Sequence, residues 1–121
     1  MENSITIIGN LTKDPDLHYT TAGAAVCNFS IAINRRVKDA NGNWTDGDPT
    51  YVDVNCWNHL AEGVAEGLRK GQRAVITGRI RQASWDTPQG KRTKIEVDAD
   101  DVGPSLRFAA VRKPVEQPLD A

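Results

Sequence analysis

The sequence predicts an all-β fold: five strands closed into a small Greek-key barrel, one α-helix between the third and fourth strands, and a short C-terminal strand. Three observations carry this expectation. Long stretches alternate apolar and polar residues with the period of two that strands impose. One stretch, Leu60 to Leu68, instead repeats its apolar residues at helical spacing. Turn signals such as Asp14-Pro15, Asn41-Gly42 and Gly103-Pro104 punctuate the chain between these stretches.

The first strand is read at Ser4 to Leu11, rich in Ile and ended by Thr-Lys-Asp-Pro. Residues 14–23 read as a turn-rich connection. A long second strand follows from Ala25 to Val37, with Cys27, Phe29, Ile31 and Ile33 on its core face and Asn28, Ser30, Ala32 and Asn34 on a small, polar opposite face. Residues 38–49 form a hairpin loop around Asn41-Gly42, and Trp44 lies just past the turn. Trp44 has two readings, ligand contact or packing on the hairpin. In the third strand, Tyr51 to Trp57, Val52, Val54 and Cys56 face the core, while Tyr51, Asp53, Asn55 and Trp57 face water. Asn58 is expected to cap the helix with its side chain. Arg69 and Lys70 are expected in its last turn and Gly71 at the left-handed position beyond it. The fourth strand, Arg73 to Trp85, places Ala74, Ile76, Gly78 and Ile80 inward and Arg73, Val75, Thr77, Arg79, Arg81, Ala83 and Trp85 outward. After a turn at residues 86–90, the fifth strand, Lys91 to Val102, places Ile95, Val97 and Ala99 inward. Leu106, Phe108 and Ala110 read as a last short strand. The domain is therefore expected to span residues 1–112, with a mobile tail at 113–121.

If the third and fourth strands share a sheet, its outer face carries Tyr51, Trp57, Arg79, Arg81 and Trp85. A buried core cannot use these groups, and aromatic rings interleaved with cations are what single-stranded nucleic acid binds. Further cations that could meet phosphate are Arg35, Arg36, Lys38, Arg73, Lys91 and Arg92. The formal net charge of −1 speaks weakly against nucleic acid, but distribution decides. Bases crowd Arg35 to Lys38 and Arg69 to Lys94, while acids crowd Asp46, Asp48 and Glu96 to Asp101.

Composition excludes several classes. With 26% charged and 39% hydrophobic residues the chain reads as an ordinary globular domain, with no apolar run near the roughly 20 residues of a membrane span. Its first ten residues lack a signal peptide's basic and apolar regions, so a cytoplasmic location is expected. Cys27 and Cys56 fall on apolar strand faces and read as buried hydrophobes. His18 and His59 are isolated, no spacing matches a zinc site, and Asp98, Asp100 and Asp101 read as solvated strand residues. Neither an enzyme nor a cofactor is expected. Five strands with a helix between the third and fourth define the OB-fold, whose second and third strands and adjoining loops bind oligonucleotides or oligosaccharides. An OB module for RNA, or a replication accessory, is the alternative.

The same residues resemble the bacterial single-stranded DNA-binding protein family. The resemblance lies in ITIIGNLTKDPDLHYTTAGAAVCNFSIAINRR, in NHLAEGVAEGLRKGQRAVITGRIRQASW and in DTPQGKRTKIEV, and GPSLRFAA is most similar to the actinobacterial branch. It covers the chain to about Val111. It implies a homotetramer, a dimer of dimers, that coats single-stranded DNA in replication, recombination and repair without a cofactor. The family is itself an instance of base stacking on aromatic platforms, and its platforms correspond to Tyr51, Trp57 and Trp85. A further family Trp falls at Val37, so one platform is missing. A basic family position falls at Asp53, where no phosphate contact is then expected. The family usually ends in a flexible linker and an acidic tip that recruits replication and repair proteins. This sequence ends in VEQPLDA. Truncation, a tailless paralogue and a phage version all fit that ending, and capture of the tail-dependent partners is not expected.

Overall fold

Five long strands close on one another. In the computed structural model, which describes residues 3–108, these are β1 (Ser4–Leu11), β3 (Ala25–Ile33), β6 (Thr50–Trp57), β7 (Arg73–Thr87) and β8 (Gly90–Pro104). Around the ring, β1 pairs with β7, β7 with β8, β8 with β6, β6 with β3, and β3 back with β1. Only β6–β8 is parallel. The one helix among the described residues, α1 (Asn58–Gly67), joins β6 to β7. This is the five-stranded barrel with one helix that the alternation predicts.

Burial follows the predicted parity. Val54 and Cys56 are fully buried in β6, as are Cys27 and Ile31 in β3, while Ala74 and Ile76 do the same in β7. Ala61 and Val64 of α1, with Leu68 just past its end, bring its apolar stripe onto this core, and the helix packs chiefly against β3. Each fully buried aliphatic side chain contributes about 1.5–3 kcal/mol, so this cluster holds the barrel closed. Cys27 and Cys56 face each other across β3 and β6 as free thiols. Burial, with the charge of Asp16, pushes Cys27 up to about 11, and burial, with Cys27 beside it, pushes Cys56 up to about 12. Both stay protonated at neutral pH and act as small core residues.

Several boundaries differ from the sequence reading. The connection at 14–23 contains a short edge strand, β2 (Asp16–Tyr19), paired with β3. It is only four residues long, with Leu17 packed on the core and Asp16, His18 and Tyr19 exposed, too short a run to stand out between turn signals. The long second strand stops at Ile33. Beyond it β4 (Arg36–Lys38) leaves the barrel and pairs with β5 (Trp44–Asp46) as a separate ribbon. The Gly47 N–H donates to the Arg35 carbonyl at 2.8 Å and fastens its base.

The helix ends also differ. Trp57, with extended backbone, occupies the cap position without a side-chain hydrogen bond; Asn58 begins the helix with a φ of 60°. The helix closes at Gly67, before Arg69 and Lys70, and the Leu68 N–H donates to the Val64 carbonyl at 3.0 Å. Lys70 instead donates its backbone N–H to the Asp14 carboxylate at 2.8 Å. Gly71 does adopt a left-handed φ of 86°, but in the turn after the helix, where its N–H reaches the Leu11 carbonyl at 2.7 Å.

Ile80 and Ile95 were expected inward and are 45% and 54% exposed. Alternation gives the side a residue faces, not whether anything covers that side, and here the β7–β8 hairpin carries them past the core. Gly103-Pro104 does not break β8, because Pro104 is its last residue and pairs with Ala74. Leu106 and Phe108 are exposed and lie outside any strand. Ala110, the domain boundary at 112 and the tail at 113–121 lie outside the described residues.

Candidate nucleic-acid interface

The outer face of the sheet is built by register. Asn28 lies opposite Asn55, and Ser30 opposite Asp53, in β3 and β6. Asn55 lies opposite Asp98, and Asp53 opposite Glu96, in β6 and β8. Asp98 lies opposite Arg79, and Glu96 opposite Arg81, in β8 and β7. Cross-strand partners share a face. Two rows therefore cross four strands: Asn28, Asn55, Asp98, Arg79, and then Ser30, Asp53, Glu96, Arg81.

Aromatic rings flank these rows. Trp57 ends β6 on one side at 48% exposure, and Tyr51 lies second in β6 on the other at 64%. Trp85 stands opposite Arg92 in the β7–β8 hairpin and is 46% exposed. The Lys94 ammonium lies 5.8 Å from the centre of the Trp85 ring, within cation–π range. The sequence reading puts Tyr51, Trp57 and Trp85 on one outer face, and so does the register of the strands that carry them.

The polar rows form one connected network. Asn28 donates to the Asn55 side-chain oxygen at 2.7 Å, and Asn55 donates to Glu96 at 3.1 Å and Asp98 at 3.2 Å. Arg81 donates to Asp98 at 2.9 Å and to Glu96 at 2.7 Å. Lys94 bridges Asp53 at 2.8 Å and Glu96 at 3.1 Å. Arg79 meets Asp100 at 3.3 Å. These contacts shift the titration of Arg81, Lys94 and Asp98. A hydrogen bond to Asp98 raises Arg81 further above its usual value, and hydrogen bonds to Asp53 and Glu96 raise Lys94. Burial pushes the Asp98 carboxyl up, but the hydrogen bonds from Arg81 and Asn55 win and hold it below the usual carboxylate range. Glu96, at 8% exposure, is buried and paired on both oxygens.

The other predicted cations fall into separate places. Arg36 and Lys38 lie on the β4–β5 ribbon, where Arg36 approaches Asp46 at 3.8 Å; Arg35 precedes it. Lys38 lies 5.4 Å from the centre of the exposed Trp44 ring, so Trp44 packs against its own hairpin while keeping an open face. Arg73 opens β7 opposite Asn10, with Phe108 stacked 5.0 Å from its guanidinium. Twelve residues separate it from Trp85, about 40 Å along an extended strand. Lys91 pairs with Asp86 and so has the parity opposite to Trp85 and Arg92. It belongs to the other side of the hairpin. The sequence reading put Asn28 and Asn55 on the outer face without giving them a role, and it left Lys94 off that face. Parity alone could have found Lys94, since it shares the face opposite Val97.

Among the described residues no group of His, Cys, Asp or Glu is arranged to hold a metal ion. Nor, among them, is any helix long and apolar enough to cross a membrane.

A closed five-stranded barrel with one helix, carrying exposed aromatics and paired cations on one sheet face, defines an oligonucleotide-binding type of OB domain. Comparison narrows the class. Residues 2–105 match the model of the single-strand binding protein family, and the chain belongs to that family. It is 47% identical over 113 residues to the single-stranded DNA-binding protein of Mycobacterium leprae, covering 92% of this chain and 67% of that one. It is 48% identical over 110 residues to that of Corynebacterium glutamicum, covering 89% of this chain and 49% of the relative. Among solved structures, the small single-stranded DNA-binding protein of Streptomyces coelicolor superposes with a TM-score of 0.75 at 25% identity, over 88% of this chain and 96% of that one.

Proposed function

We propose that this chain binds single-stranded DNA without sequence preference, and so coats and protects it during replication, recombination and repair. One observation carries the reading: Tyr51, Trp57 and Trp85 stand exposed on a single face of an OB barrel whose relatives are single-stranded DNA-binding proteins. Each base offers a π-face, so stacking on these rings is indifferent to sequence. Arg79, Arg81, Arg92 and Lys94 supply candidate phosphate contacts beside the rings; Arg35, Arg36, Lys38 and Arg73 could meet a strand that continues past them, and Lys91 lies on the other side of the hairpin. The protein acts by binding rather than turnover, without a cofactor, in the bacterial cytoplasm on nucleoid DNA. Oligo-dT is expected to quench the Trp fluorescence and to outcompete duplex DNA and matched RNA, with affinity falling as salt rises. Equal or better competition by RNA would move the reading to an RNA-binding module.

The assembly proposed is a homotetramer, a dimer of dimers. Its support is an apolar pair on the outside of the barrel: Ile8, 39% exposed, lies directly opposite the half-buried Val75 across β1 and β7. An outward apolar pair of this kind favours burial against a second copy. Sedimentation equilibrium at micromolar concentration is expected to give four chains per particle, and a monomer there would refute the assembly.

A further inference from the structure

The cations on the proposed DNA face are already engaged. Arg81 holds two carboxylates, Asp98 and Glu96, and Lys94 holds two, Asp53 and Glu96. Arg79 meets a fourth, Asp100. Between the aromatic platforms β6, β7 and β8 thus carry three cations and four acids joined by ion pairs. A phosphate that approaches Arg81 or Lys94 finds carboxylates already 2.7–3.1 Å from the cation. It has to share or displace an ion pair, and it gains less than it would from an unpaired cation. Exposure separates the members. Glu96 is almost closed off, with 11% of its side chain exposed, whereas Asp53 keeps 43% and Asp98 21%. Glu96 therefore fixes the network, and Asp53 and Asp98 stand where DNA passes. Beside Asp53 lies a shallow trough of about 280 Å³, lined by Asn28, Asn55, Lys94 and Glu96 among others.

We propose that Asp53 and Asp98 set the affinity of this face by competing with DNA phosphate for Lys94 and Arg81. The inference rests on the single-stranded DNA reading of the same face. The carboxylates act as a built-in counter-charge, holding phosphate attraction below what the cations could give and leaving base stacking as the dominant grip. A bound strand then has a weaker dependence on salt than the number of cations on the face implies, because a phosphate that replaces a carboxylate makes little net change in charge pairing.

The test is the isosteric amide. Asp53→Asn leaves Lys94 with Glu96 alone, and Asp98→Asn leaves Arg81 with Glu96 alone. Each variant is expected to bind oligo-dT about fivefold more tightly at low salt, the worth of one good surface ion pair. Each should also steepen the slope of log affinity against log salt by about 0.7, one further phosphate contact on a single strand. Unchanged affinity and slope, or weaker binding, in variants with wild-type circular dichroism and melting would overturn the proposal. The two substitutions touch different cations, so either one that folds decides the matter. A Trp57→Ala, Trp85→Ala variant measured alongside separates the two claims. Its loss of binding, with no gain from either amide, overturns the counter-charge proposal and leaves the face intact as the DNA site. Its full binding removes the face, and the proposal with it.

Discussion

The Trp57→Ala, Trp85→Ala double variant is expected to fold and to lose most of its affinity for oligo-dT. Both rings are about half exposed and stand outside the buried cluster that closes the barrel. Their truncation should therefore cost the fold little. Each base stack is worth about 1–3 kcal/mol by alanine substitution, so two lost stacks weaken binding by about 2–6 kcal/mol, a hundredfold or more near the middle of that range. The salt slope should stay nearly unchanged, because neither ring neutralises phosphate. Fluorescence gives a second reading. The chain has three tryptophans, and only Trp44, on the β5 ribbon, remains in the double variant. Quenching by oligo-dT should fall to whatever Trp44 contributes. Titration by fluorescence anisotropy, with melting as the folding control, measures the loss. A folded double variant that keeps full affinity would sink the stacking account.

What was legible in the sequence was parity. Strand alternation placed Tyr51 and Trp57 on the face away from Val54 and Cys56, and the register of β6 agrees. The same alternation failed at Ile80 and Ile95, for a physical reason. Apolar residues mark the side a barrel would cover, and these two lie where β7 and β8 run on as a two-stranded hairpin. The helix caps failed because capping preferences describe isolated ends. Here β6 passes into α1 without a loop, so Trp57 must be the last strand residue and the cap at once. The ion-pair network could not be read at all. It joins Asp53, Arg81, Lys94 and Asp98 from three strands, and strand order follows from closure of the sheet rather than from spacing along the chain.

That network also alters the meaning of the net charge. A total of −1 is compatible with a basic face only if the acids lie elsewhere. Four of the sixteen do not. Asp53, Glu96, Asp98 and Asp100 stand among the arginines and Lys94 on the same sheet, so the face is a lattice of paired charges rather than a positive patch. Such a surface gives weaker long-range attraction to DNA and places more of the binding on short-range contact with bases.

Substituting Gly78 by Ala is expected to unfold the protein more readily than any comparable change on the surface. Gly78 lies in β7 opposite Ala99, where the register with β8 slips and Asp100 is bulged out. A methyl group there would run into the Asp98 carbonyl oxygen and come within 2.9 Å of the Ala99 Cα and 3.0 Å of the Asp98 carbonyl carbon. These are backbone atoms, so no side-chain rotation makes room, and β7 and β8 must move apart. Overpacking of this kind costs about 1–3 kcal/mol, and more where backbone has to yield. The displacement falls next to Arg79 and the Asp98–Arg81 pair, so binding should weaken along with stability. Gly63→Ala is the matched control. It lies in α1, has open space where its methyl would go, and has no left-handed backbone to strain. There the same change should stabilise by up to about 1 kcal/mol, because alanine holds a helix better than glycine. Urea denaturation of the two variants beside the parent should move the midpoints in opposite directions. A Gly78→Ala protein as stable as the parent would mean that β7 and β8 can separate at this bulge without cost.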